Sequence, residues 1–148
     1  MADLSAILGR VRTSPPNILS ALQAVQADRG WVDPKSVPEI AASLGVTDSD
    51  VAGVLSFYHD FRKEPPGRHV IRFCLGDSCV ATRCDKPLKA LTEKLKCGVG
   101  ETTRDRRFTL EKVYCLGNCA LSPSMMIDGN IYGRFTPRKV TDLLKEYT

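Results

Sequence analysis

The stretch VYCLGNCALSP, residues 113–123, sets Cys115 and Cys119 either side of Leu-Gly-Asn, directly after a run that reads as a strand. One such pair could be a redox disulfide, half a metal site or chance. A second pair decides between them, and FCLGDSC, residues 73–79, supplies it: Cys74 and Cys79 also follow an apparent strand. The two pairs are separated by 35 residues. If both strands run parallel in one β-α-β unit, both pairs leave the same edge of the sheet and four thiolates converge on one point.

Four convergent thiolates suit zinc or an iron-sulfur cluster, because both bond strongly to soft sulfur. Zinc knuckles favour two residues between cysteines. A binuclear cluster is wider, and its sulfides accept hydrogen bonds from backbone amides, so gaps of four and three residues favour the cluster. Both loops begin Cys-Leu-Gly, and Gly76 and Gly117 can turn N–H groups toward sulfur with no Cβ in the way. Cys79 and Cys84 have the same four-residue gap, but Cys74 ends a strand as Cys115 does, so Cys74, Cys79, Cys115 and Cys119 form the candidate set. Cys84 is left as a bystander and Cys97 as a small buried hydrophobe. His59 and His69 read as a helix-surface and a strand-end residue. Met125 and Met126 read as hairpin core, and Tyr114, Tyr132 and Trp31 as packing.

The chain has 148 residues, of which 43% are hydrophobic, enough for one domain or two small ones. No apolar run reaches the roughly 20 residues of a membrane helix, and MADLSAILGRVR lacks a signal-peptide h-region, so a cytoplasmic setting is expected. Six cysteines in a reducing compartment indicate metal or redox chemistry rather than a disulfide framework. The net charge of +4 is spread out and does not imply nucleic acid. Its densest patch, RDRR at residues 104–107, reads first as a solvated loop and second as a docking patch for an acidic partner.

KEPPGRH, residues 63–69, breaks a helical pattern, which places a boundary between residues 1–66 and 67–148. Three helices are expected before it. Ser14 and Pro15 would open the first, with Ile18, Leu22 and Val25 inward and a stop near Gly30. Ser36 and Glu39 have capping-box spacing for the second, which Gly45 ends. Thr47 or Asp48 caps the third, with Val51, Val54, Leu55, Tyr58 and Phe61 as its apolar stripe. After the boundary, HVIRF (69–73) and FTLEKVY (108–114) read as strands around a helix carrying Leu88, Leu91 and Leu95. Asp128-Gly129 turns a hairpin, and Thr136 caps a last helix. The expected fold is α+β: an N-terminal three-helix bundle followed by a thioredoxin-like β-α-β-β-β-α domain.

GVLSFYHDF, the C-x4-C and C-x3-C pairs, and VYCLGNCALSPSMMIDGNIYGR together resemble the thioredoxin-like 2Fe-2S subunit of NADH dehydrogenases (complex I), NAD-reducing hydrogenases and NAD-dependent formate dehydrogenases. The resemblance runs from about Asn17 to the C-terminus. FYHDFRKEPPGRHVIRFC and ETTRDRRFTLEKVYCLGNCALSP look closest to the formate dehydrogenase gamma subunit. The resemblance implies a 2Fe-2S cluster on Cys74, Cys79, Cys115 and Cys119, and docking through the N-terminal helices on a flavoprotein subunit that holds FMN, a 4Fe-4S cluster and the NAD site. A large molybdenum- or tungsten-containing formate dehydrogenase subunit would share the complex. The chain departs from the family in CVATRCDK, where Cys84 stands in place of a glycine many relatives carry.

No G-x-G-x-x-G follows a strand, and no P-loop or Ser, His and acid set is visible, so no catalytic residue is expected. Three other readings remain. IAASLGVTDSDVAGVLSF resembles a helix-turn-helix of an iron-sulfur sensor, but Asp48 and Asp50 would meet phosphate. A structural zinc module is the second. A thiol oxidoreductase is the third, and it lacks its C-x-x-C pair.

Overall fold

The computed structural model describes residues 3–11 and 17–147. The chain divides into two compact units, Met1–Pro65 and Pro66–Thr148.

The first unit holds four helices among its described residues: α1 (Leu4–Leu8), α2 (Ile18–Arg29), α3 (Val37–Leu44) and α4 (Asp48–Phe57). The expected three-helix bundle missed α1, whose Leu4 and Ile7 are buried. Five residues show too little periodicity to announce a helix. Asn17 caps α2 by accepting a hydrogen bond from the Ser20 N–H, and Gly30 ends it at φ 81°. The Ser14 and Pro15 start lies outside the described residues. Ser36 does not build the expected capping box. Asp33 opens a 3-10 turn over Pro34–Ser36 that runs straight into α3, so the Ser36 hydroxyl donates back to the Asp33 carbonyl. Gly45, at φ 67°, closes α3 as expected.

The capping box belongs to α4. The Thr47 hydroxyl accepts from the Asp50 N–H, and the Asp50 carboxylate accepts from the Thr47 N–H and hydroxyl. Val51 and Leu55 are buried, while Tyr58 falls beyond the helix end and is exposed. These bonds to Thr47 hold the Asp50 carboxyl below the usual carboxylate range. A depressed folded pKa means the contribution is present above the unfolded value and is lost as pH falls through the folded one. We expect helicity to decline on acidification below about pH 4 more steeply in the wild-type chain than in Asp50→Asn; circular dichroism against pH checks this.

The second unit is built on a four-stranded mixed sheet in the order β2-β1-β3-β4. Its strands are β1 (His69–Cys74), β2 (Phe108–Val113), β3 (Met125–Ile127) and β4 (Asn130–Tyr132). β1 and β2 are parallel from His69↔Phe108 to Cys74↔Val113, while β3 lies antiparallel to β1 and β4 to β3. Two helices fill the crossover: α5 (Asp77–Ala81), too short to be seen in the pattern, and α6 (Asp85–Leu95). The last helix, α7 (Pro137–Glu146), is capped by Thr136 as expected and buries Val140, Leu143 and Leu144. Ile71 and Phe73, fully buried, alternate with Arg72, which pairs with Glu111 at 3.2 Å. Their buried face joins Leu91, Leu110, Met125 and Ile127 in one core.

The Asp128-Gly129 turn has positive φ at both residues, 48° and 89°, as a tight hairpin of this twist requires. The Asp128 carboxylate accepts from the Val70 N–H at 2.8 Å and meets His69 Nδ1 at 2.6 Å. β4 and α7 are joined by a 2.6 Å hydrogen bond between the Tyr132 and Tyr147 hydroxyls. That bond first, and burial second, push the Tyr132 phenol up to about 12. Because the neutral form is favoured in the fold, this stabilisation is complete below the unfolded value near 10 and is lost as pH rises through about 12. Phenolate absorbance should therefore show a late phase near pH 12 that Tyr147→Phe abolishes.

Among the described residues, no helix is long and apolar enough to cross a membrane.

Candidate metal centre

The parallel register settles where the cysteines stand. Cys74 is the last residue of β1 and pairs with Val113, the last of β2, so both cysteine loops leave the same end of adjacent strands. The Leu75 N–H continues the ladder by donating to the Val113 carbonyl at 2.7 Å, and the Cys74 N–H donates to the Ser124 carbonyl at 3.2 Å. The first loop is thus held from both sides.

α5 then returns Cys79 toward Cys74, and the two thiols are within hydrogen-bonding reach. In the second loop Cys115 Sγ and Cys119 Sγ are 3.7 Å apart. Cys74 and Cys79 are buried, whereas Cys115 and Cys119 face solvent. The loops are tied together. The Ser78 hydroxyl donates to the Cys119 carbonyl at 3.3 Å and meets the Ser122 hydroxyl at 2.8 Å. Backbone N–H groups of Gly76 and of Leu116, the latter from the second loop, point at Cys74 sulfur.

Burial pushes the Cys74 thiol up, the neighbouring Cys79 adds to it, and the two N–H groups pull the other way. Cys119 is pushed up by its hydrogen bond with Cys115 and by that thiol's charge, with smaller contributions from burial and from Cys79. Thiolates this close repel, and a bound cation relieves that repulsion by taking the place of their protons.

Gly117 behaves as the sequence suggested: at φ 73° it directs its N–H to Cys115 sulfur at 3.3 Å. Gly76 is needed for another reason. Its φ of −71° is open to any residue, but a Cβ there would stand 2.2 Å from the Tyr114 carbonyl oxygen. The first loop crosses the end of β2 in contact with its backbone, which only glycine permits.

Among the described residues no three His, Cys, Asp or Glu side chains gather as around one ion. The thiols stand as two pairs, a grouping suited to a body with two metal atoms that each take two thiolates. The donor set, the amides aimed at sulfur and the pairing all fit a 2Fe-2S cluster.

Cys84 is buried behind Cys79, its N–H donating to the Cys79 carbonyl at 3.0 Å, and burial pushes its thiol up. Cys97 is buried in the core, as expected for a small hydrophobe. His59 is exposed, and His69 is engaged by Asp128. Met125 is fully buried and Met126 partly so. Tyr114, expected to pack, is 68% exposed beside Cys115 because the strand ends one residue earlier and its side chain leaves the sheet.

Sequence reasoning missed the groups that brace the second loop. The Asn118 side chain and the Ser124 hydroxyl bond each other at 3.2 Å, and the Arg134 N–H donates to the Leu121 carbonyl at 2.6 Å. Gly133 lets this strap lie close, since a Cβ would stand 2.6 Å from Leu121 Cβ. Short polar residues in loops carry no periodic signal; only their density around the cysteines marks them.

These features are shared with known proteins. The family described as Thioredoxin-like [2Fe-2S] ferredoxin matches residues 4–148. The chain belongs to this family, and its cofactor is a 2Fe-2S cluster. Over 129 residues it is 43% identical to a subunit of the NADH-quinone oxidoreductase of Escherichia coli (strain K12), covering 87% of this chain and 78% of that one. It is 42% identical to the corresponding subunit from Buchnera aphidicola subsp. Acyrthosiphon pisum (strain APS), covering 87% and 80%. Among solved structures, an NAD+-reducing [NiFe]-hydrogenase in the air-oxidized state superposes with a TM-score of 0.74 at 20% identity, over 99% of this chain and 24% of that longer polypeptide. At that identity the likeness is one of fold.

Proposed function

We propose that this chain is the electron-transfer subunit of an NADH-quinone oxidoreductase, the counterpart of the two relatives above, with its cluster held by Cys74, Cys79, Cys115 and Cys119. The observation that carries the reading is the placement of both cysteine pairs at one end of the parallel β1–β2 pair, each with a backbone N–H aimed at sulfur. The bound cluster supplies one-electron exchange at a potential on the order of −400 mV, by analogy with plant-type ferredoxins.

The chain's own residues set the conditions. Cys74 and Cys79 seal one side of the site in the core, while Cys115 and Cys119 leave the other open to a partner. Exposed Tyr114, Val80 and Leu121 give that open side an apolar rim. The partner is a flavoprotein subunit carrying FMN, a 4Fe-4S cluster and the NAD site. Residues 1–66 serve as a docking module for it and 67–148 as the cluster domain; Phe57, 73% exposed at the end of α4, supports the docking role. A cytoplasmic location accords with reduced thiols.

The formate dehydrogenase reading, with its molybdenum- or tungsten-containing large subunit, gains no support from the relatives above, which favour the complex I alternative. The helix-turn-helix alternative is weakened by α4, whose first turn presents Asp48 and Asp50.

Affinity capture of the chain from its native cells tests the proposal. The expected companion is an FMN-containing flavoprotein, with NADH bleaching the cluster's visible absorption in the captured complex. A companion that reduces the cluster with formate but not NADH would overturn it.

A further inference from the structure

The end of the sheet opposite the cysteines carries a second feature. A six-residue strand spans roughly 17 Å, and where β2 begins, a cavity of about 500 Å³ opens between the end of α6 and the loop before Phe108. Lys94, Lys96, Arg104 and Arg107 line it, with Asp105 as the lone acid. A smaller cavity of about 230 Å³ shares Lys94 and Arg107 and adds Lys145 from α7.

Three observations bear on what fills this space. Asp105 is already engaged, accepting from the Thr103 hydroxyl and from the Arg107 N–H at 3.0 Å. Among the described residues Lys94, Lys96 and Arg104 have no ion-pair partner. Arg107 lies over the Phe108 ring at 5.0 Å, and its Nε is buried with no hydrogen-bond acceptor, Asp105 Oδ2 standing 3.8 Å away. Lys94 and Lys96 also complement the negative end of the α6 dipole, but the two arginines come from a separate loop and have no such reason to be there. Like charges around a concave wall repel, and the field they focus attracts an anion.

We propose that this cavity binds a small diphosphate anion, free or carried on a nucleoside. A cavity of a few hundred cubic ångströms is of small-molecule size, whereas a protein partner would meet a flatter patch. Two guanidinium forks and two ammonium groups match an ion with several charged oxygens, since arginine donates to phosphate in pairs and lysine as a point charge. The site lies away from the cluster and takes no part in electron exchange.

Calorimetric titration of the cluster-loaded protein with inorganic pyrophosphate and, separately, with ADP tests this. Saturable binding is expected at low salt and should weaken as salt is added. Lys94→Ala/Arg104→Ala, two exposed positions, should weaken it about tenfold or more, with the visible spectrum unchanged and the fold retained. Lys35→Ala/Lys63→Ala, which removes the same charge elsewhere, should leave it within about twofold. Tighter binding of ADP than of pyrophosphate assigns the nucleoside form; equal binding assigns the free ion. The proposal is overturned by no saturable binding up to roughly millimolar ligand, by binding that the cavity variant leaves unchanged, or by hexaglutamate binding more tightly than either phosphate compound. If the double variant does not fold, Lys96→Ala makes the same comparison.

Discussion

Cys119→Ser should yield a folded protein that no longer holds its cluster, with bound iron and acid-labile sulfide falling by roughly tenfold or more. Cys119 is the cleanest place to ask, because its side chain is exposed and its one hydrogen-bonding neighbour is the Cys115 thiol, so serine there leaves the core packing in place. The metal-free forms of variant and wild type should therefore melt together. Cys74→Ser should lose the cluster as well, but it also puts a hydroxyl into the core and lowers the stability of the metal-free chain. Iron and sulfide assays beside thermal melts separate the two effects. Retention of the full cluster by Cys119→Ser with an unchanged visible spectrum would remove that residue from the ligand set, since a serine oxygen on iron in place of sulfur would shift that spectrum.

Gly76→Ala should be the most damaging change that touches no thiol. The new methyl group would lie 2.2 Å from the Tyr114 carbonyl oxygen and 3.2 Å from its carbon, and backbone at the end of a paired strand cannot move aside cheaply. The loop must lift from β2, which breaks the approach of the Gly76 and Leu116 N–H groups to Cys74 and displaces Cys79 from its partners. We expect a stability loss of about 1–3 kcal/mol in the metal-free chain and poor retention of iron. Gly117→Ala is the informative contrast. Its φ of 73° strains any other residue, but no atom lies within 4 Å of the added Cβ. That variant should lose only about 1–2 kcal/mol and keep its cluster. Equal behaviour of the two variants, measured by denaturant titration and iron content, would contradict the assignment of Gly76 to close packing rather than to conformation.

The contrast between these glycines shows what the sequence disclosed. Its repeated Cys-Leu-Gly located both loops, because a strand followed by a cysteine and a glycine is a local pattern. It could not reveal that the glycines act differently, since the contact of Gly76 with Tyr114 joins residues 38 positions apart. The strands, the hairpin turn and the caps at Thr47 and Thr136 were legible because each rests on side chains within a few residues. The Ser36 box failed because an adjoining 3-10 turn used the same hydroxyl. α1 and α5 were invisible at five residues each. Ser78 and Ser122 join the two loops, and Asn118 and Ser124 brace the second one; no periodic signal marks any of them, only their density around the cysteines.

The choice between Cys79 and Cys84, equally spaced in sequence, is where the ligand assignment is most exposed. Cys79 lies with Cys74 and within electrostatic reach of Cys119, whereas Cys84 sits behind it in the core. The double variant Cys84→Ala/Cys97→Ala leaves only the four assigned thiols. Purified anaerobically, it should carry the same iron, sulfide and reduced EPR spectrum as the wild-type protein. Loss of the cluster from that variant, in a chain that still folds, would show that one of the two removed sulfurs is a ligand.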